Sequence, residues 1–300
     1  MISETTASRP SLLSGGSTAR AGSLHLSLEP ISSLPSVSPA ARRPSAGRAG
    51  LVSGRIIAPP AQFVPLSAPA LSIYRLLASI DRKLNEEGHP MMTLSELKGP
   101  YDAIYSLGHN CLPGVQLAKN GLRRYSGPID WMGSPLLSGV SRALQERFAS
   151  FMELRNLSVT GIDPNAGCYL VYDPAYHIVS NHDYPVRADH AEALLPYPEV
   201  KAKLDRRVDR MLGKLSGSSR ILLVRTEGSY PELFELQLVL RSLVGATFAV
   251  LYVQHGDTEG IVDLGWRIPH VCAVQIPRVP DMFHDNDGIW RELLDGIYHV

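Results

Sequence analysis

Three apolar runs of strand length punctuate the last third of the chain: Ile221-Leu-Leu-Val224 between Arg220 and Arg225, Phe248-Ala-Val-Leu-Tyr-Val253 after Thr247, and Val271-Cys-Ala-Val-Gln-Ile276. None alternates apolar with polar residues, so each reads as a strand covered on both faces. Helical segments fall between and after them: Pro231 to Leu243, and Gly288 to Tyr298. Short continuous apolar strands alternating with helices restrict a chain to the α/β class with a parallel sheet. The expected fold is a three-layer α/β sandwich with a mostly parallel central sheet.

Upstream, Ala103 to Leu107 is a strand candidate ending at Gly108. Cys111 to Asn120 is a helix candidate with Pro113 in its first turn and Asn120-Gly121 as its stop. Val140 to Leu154 reads as a helix, and Tyr169 to Val179 as a strand pair broken at Asp173-Pro174. Val200, Leu204, Val208, Leu212 and Leu215 make a clean amphipathic stripe. Leu71 to Glu87 also has helical spacing, with Gly88 as its stop.

Residues 1–68 are different. Ser, Pro, Gly, Ala and Arg dominate, the only acidic residues are Glu4 and Glu29, and no apolar period is visible. Such a segment buries too little apolar area to offset the entropy of ordering, and the expectation is a disordered leader. It lacks the continuous apolar core of a secretory signal. Its composition fits an organellar transit peptide, the N-terminus of an effector exported by a bacterial type III system into a host cell, or a tail with no address. Export is the favoured expectation, a cytoplasmic protein the alternative. Residues 69–300 are expected to form one domain.

Composition narrows the function. At 44% hydrophobic and 19% charged, the chain can build a sizeable core. The formal net charge is zero, without the basic excess usual in a phosphate-binding surface, so a nucleic-acid partner is not expected. No apolar run reaches the ~20 residues that span a bilayer. The three cysteines, Cys111, Cys168 and Cys272, are few and widely spaced, against a disulfide framework and against zinc-site spacing. Cys168 and Cys272 lie in strand-like runs and read as core residues. No metal or cofactor is expected, and glycine-rich phosphate signatures are missing.

Chemistry concentrates in Ser106-Leu-Gly-His-Asn-Cys111, which joins a predicted strand to a predicted helix. Backbone N–H groups at a helix start favour negative charge, which is expected to lower the Cys111 pKa toward the nucleophilic thiolate. The same turn, with His109 and Asn110, could contact substrate or stabilise an oxyanion. The other reading is a structural cysteine packed under the first helical turn. A thiol nucleophile needs a base: His109 is close in sequence, and His182-Asp183 lies in a loop after a strand. Arg225 and Glu227, after a central strand, could bind a substrate carboxylate or pair with each other.

The stretches Ser106 to Cys111, Pro128-Ile-Asp-Trp131, Asn181-His-Asp-Tyr184, Arg206-Arg-Val-Asp-Arg210 and Ile221 to Arg225, in that order, resemble a bacterial family of unknown function described as papain-like cysteine peptidases. The resemblance runs from about Tyr101 to the C-terminus. It implies Cys111 as nucleophile, His182 as base, Asp183 or Asp130 as orienting acid, and a protein or peptide substrate. It also implies an α+β papain-like fold, in which the cysteine helix packs on an antiparallel sheet, as the alternative to the parallel sheet read from the strands. Ile129 stands where the family usually has an aromatic.

Asp281-Met-Phe-His284, before the closing helix, is similar to the last block of SGNH-type esterases and offers Asp281 and His284 as a rival catalytic pair. That likeness lacks the Gly-Asp-Ser nucleophile block. The functional expectations are therefore a cysteine-nucleophile hydrolase or acyltransferase (peptidase, amidase or deamidase), an esterase-type site using His284, or a non-enzymatic interaction module in which Cys111 is structural. Oligomeric state is not readable.

Overall fold

A computed structural model describes residues 92–300. The leader 1–68 and the helix expected over Leu71 to Glu87 lie outside the described residues. Within them the chain is mixed α/β, with three sheets.

The first sheet is built from the runs that the sequence marks as doubly buried. Strands β2 (Ala103–Ser106), β7 (Arg220–Thr226), β8 (Thr247–Gly256) and β10 (Val271–Pro277) lie side by side in that order. All three pairings are parallel. The short β9 (Val262–Asp263) adds antiparallel at the edge of β10. Successive residues of each strand point to opposite faces, and the buried side chains divide accordingly. Tyr105, Ile221, Leu223, Val250 and Tyr252 enter one apolar cluster. Ile104, Leu222, Val224, Leu251 and Val253 enter another.

The first cluster is covered by α3 (Leu137–Gln145), α4 (Tyr197–Gly217) and α5 (Tyr230–Leu243), which contribute Leu137, Val140, Leu204, Val208, Leu233 and Leu240. The second is covered by α2 (Leu112–Lys119) and α6 (Asp287–Leu294) through Leu112, Leu117, Trp290 and Leu293. The short α1 (Leu94–Leu97) opens with a capping box between Thr93 and Glu96. A second box, between Ser229 and Glu232, opens α5. Glu232 also accepts from the backbone N–H groups of Leu137 and Ser138, so one carboxylate caps two helices.

The other sheets are small. An antiparallel sheet has the order β3 (Met132–Gly133), β6 (Ile178–Ser180), β5 (Cys168–Asp173) and β4 (Ser158–Asp163). Strands β1 (Gly99–Tyr101) and β11 (Ile297–His299) pair in parallel.

Several expected boundaries move. The helix expected over Val140 to Leu154 stops at Gln145, because Arg147, Phe148 and Met152 adopt left-handed backbone with φ of 52°, 60° and 52°. The closing helix stops at Leu294, Gly296 turns with φ of 74°, and the remainder becomes β11. Cys168 and Cys272 are buried free thiols, as their strands imply. Among the described residues no helix is long and apolar enough to cross a membrane.

Candidate active site

Strand β2 ends at Ser106 and the chain must reverse before α2. Gly108 takes φ of +75°, and a Cβ there would lie 2.8 Å from Ser134 Oγ, so glycine is required both by backbone and by space. His109 follows with φ of +85°, unusual for a residue with a side chain. Ser134 holds this turn: its Oγ accepts from the His109 N–H at 3.0 Å, and its own N–H donates to the His109 carbonyl at 2.8 Å. Beneath lies Arg225, fully buried, which donates to Leu107 O, Ser134 Oγ, Ser134 O and Glu227 O. Its guanidinium is committed to shaping the turn and does not line the site. Burial draws its pKa down to about 10, which leaves it cationic at neutral pH.

The turn delivers Cys111 to the N-cap of α2. Asn110 Oδ1 accepts from the Leu112 N–H at 2.8 Å, and Pro113 has no N–H to offer. His182 arrives from the other sheet, two residues beyond the end of β6. Its Nε2 lies 3.3 Å from Cys111 Sγ. The site thus sits where the carboxyl edge of the parallel sheet meets the antiparallel one. Trp131 stands edge-on to the His182 ring, with centroids 5.9 Å apart at 80°, and Arg123 lies over the Trp131 face at 5.0 Å.

Helix-start electrostatics alone suggest a lowered Cys111 pKa, and the structure overturns that expectation. Burial, followed by the negative charges of Asp130 and Asp163, pushes the thiol up to about 12. The side chain is only 8% exposed, so desolvation of the thiolate outweighs the helix start. Cys111 therefore rests as a thiol, and ionisation must accompany proton transfer to His182.

Neither acid proposed to orient His182 is bonded to it. Asp183 accepts from Ser180 Oγ at 2.7 Å and pairs with Lys203. Asp130 is buried, with Oδ2 taking Arg123 Nε at 2.8 Å and the Gly127 N–H at 2.9 Å. No described residue hydrogen-bonds to His182 Nδ1, and the arrangement is a dyad beside an aromatic wall. Asp281 and His284 are 2.9 Å apart in an exposed turn, and neither is hydrogen-bonded to Cys111. Among the described residues no group of three or more potential metal ligands is gathered.

The family model described as "Putative papain-like cysteine peptidase" matches residues 102–257, more than half of the chain. The chain belongs to this family. The matched region holds Cys111, Asp130, Trp131, His182 and Arg225, and leaves out Asp281 and His284. An uncharacterized protein (R408) of Acanthamoeba polyphaga mimivirus is 28% identical over 135 residues, 41% of this chain; the chain spans 60% of that relative's length. No solved structure matches the chain.

Sequence reasoning left two groups unassigned. Trp131 carries no role in the sequence reading, although it lies in the same block as Asp130. His255 carried no motif; Glu227 Oε1 accepts its Nδ1–H at 2.7 Å, and the two meet only because β7 and β8 are neighbours.

Proposed function

We propose that this protein is a cysteine hydrolase of acyl–nitrogen bonds, with Cys111 as nucleophile and His182 as general base, acting on a protein or peptide substrate. The observation that carries this reading is the 3.3 Å approach of Cys111 Sγ to His182 Nε2. The Cys111 proton passes to Nε2 as sulfur attacks the acyl carbon, giving a tetrahedral oxyanion and an imidazolium. Collapse breaks the C–N bond, and Nε2 returns the proton to the departing nitrogen. Water, deprotonated by the same nitrogen, then hydrolyses the thioester and restores the thiol. With Leu112 N–H engaged and Pro113 lacking one, the Cys111 N–H is a backbone donor for the oxyanion. Peptidase, amidase and deamidase activities share these steps. We read the surrounding fold as a three-layer sandwich, supported by the parallel registers and the two apolar clusters on opposite faces of the sheet.

The test is alkylation of the full chain by iodoacetamide near neutral pH, read at each cysteine by mass spectrometry. Cys111 is expected to react faster than Cys168 and Cys272, and His182→Ala is expected to slow it by about tenfold or more. Equal rates with and without the His182 imidazole, in folded samples, overturn the assignment. The high resting pKa of Cys111 is the observation that favours a non-enzymatic interaction module, and the same measurement separates the two.

A further inference from the structure

A cleft of about 370 Å³ opens beyond the carboxyl ends of all four parallel strands, where open α/β sheets place their ligands. His109 and Asn110 follow β2, Thr226 and Glu227 close β7, His255 lies near the end of β8, and Met282 comes from the loop after β10. Two of these residues, His109 and Glu227, hold left-handed backbone with φ of 85° and 55°. Such strain in residues with side chains gathers where function fixes the chain.

On this lining His255 and Asn110 each carry a polar atom without an adequate partner, and Arg278 adds a cation that donates to the His255 carbonyl at 3.4 Å. Glu227 Oε1 accepts from both the backbone N–H of His255 at 3.0 Å and its ring Nδ1–H at 2.7 Å. Burial alone would raise the Glu227 pKa, but these hydrogen bonds from His255 hold it below the ordinary value. With the proton on Nδ1, the neutral ring presents Nε2 as an acceptor, and that atom is buried with no hydrogen-bond partner. The other atom is Asn110 Nδ2, whose acceptor is the thioether of Met282 at 3.3 Å, a weak one. An acceptor without a donor and a donor without a strong acceptor, on one cleft, complement a group that carries both.

We propose that this cleft binds an amide, its N–H donated to Nε2 of His255 and its C=O accepting from Nδ2 of Asn110. Asn110 directly precedes Cys111, but neither Cys111 nor His182 lines the cleft, so the inference goes beyond the hydrolase reading and the binding needs no reaction. Histidine 255 is a positioning and binding group here, distinct from the base His182.

The experiment uses the full chain carrying Cys111→Ala, with 15N-labelled histidine, titrated with three probes: blocked glutamine, blocked alanine and blocked glutamate, each acetylated and N-methylamidated. An amide probe is expected to shift the His255 ring nitrogens. Asn110→Asp keeps the Oδ1 cap on Leu112 and removes the donor, and is expected to weaken binding about tenfold. Binding by blocked glutamine alone identifies a side-chain carboxamide as the ligand, and equal binding by blocked alanine identifies a backbone amide. No shift at His255 with any probe overturns the proposal, as does unchanged affinity in the folded Asn110→Asp protein. A cleft that binds amides in a chain whose Cys111 alkylation ignores His182 would retain the site and discard the hydrolase reading.

Discussion

Asp130 is the residue whose environment most affects the nucleophile without touching it. Its carboxylate is enclosed with Arg123 and the Gly127 N–H, and its charge adds to burial in holding the Cys111 thiol near 12. Replacing it by Asn keeps the shape and removes the charge, so the Asp130→Asn thiol should titrate lower and alkylate faster at neutral pH. The same change leaves Arg123 without a counter-ion in a half-buried setting, at a cost of about 1–3 kcal/mol in a urea melt. Slower alkylation in a folded Asp130→Asn protein would mean that Asp130 assists the dyad rather than opposing thiolate formation. Cys111 was legible from sequence because strand, glycine and helix start are local signals. His182 was legible only as one histidine in a polar loop. The orienting acid was misleading, since proximity in sequence puts Asp183 beside His182 while Lys203, on α4, draws it away.

Elements whose burial is one-sided or complete were readable from their residues, and those defined by a distant partner were not. Strand β7 and helix α4 follow from their apolar patterns, with Val200, Leu204, Val208 and Leu215 buried as spaced. Strand β4 is mostly exposed, contains Gly161 and a register shift, and exists because β5 pairs with it. Strand β11 likewise depends on β1, nearly two hundred residues earlier in sequence. Close approach between elements sets a further constraint that no periodicity reveals. A Cβ on Gly139 of α3 would lie 2.1 Å from the Tyr176 carbonyl oxygen, in the turn between β5 and β6. That turn leads to His182, so Gly139→Ala must push it outward. The expected loss is about 1–3 kcal/mol or more, measured as a lowered urea midpoint, together with slower Cys111 alkylation as the dyad separates. Unchanged alkylation despite the lost stability would show that the β6 loop holds its position independently of α3.

At the scale of the whole molecule, buried acids couple folding to alkaline pH. Burial pushes the Cys272 thiol up to about 12 from an ordinary 9.0, as it does Cys111, and it raises the Tyr105, Tyr184 and Tyr252 phenols. Each folded-state value exceeds the unfolded one, so the contribution is intact below the ordinary pKa and is lost as pH climbs toward the folded value. One unit above 9, each thiol should cost about 1 kcal/mol, and Cys272→Ala should flatten the fall of the urea midpoint between pH 8 and pH 10. The last prediction concerns residues 1–68. Their composition offers Ser, Pro and Gly with Arg residues that have almost no carboxylates to meet, and no apolar face that could join a core. We propose that the leader serves delivery by a bacterial export system. Deleting it should leave the thermal midpoint within a degree or two, since surface changes away from packed features shift stability by less than about 0.5 kcal/mol. The same deletion should abolish appearance of the protein outside the producing cell. A truncated chain that unfolds would assign the leader a place in the fold, and one still exported normally would remove its role as an address.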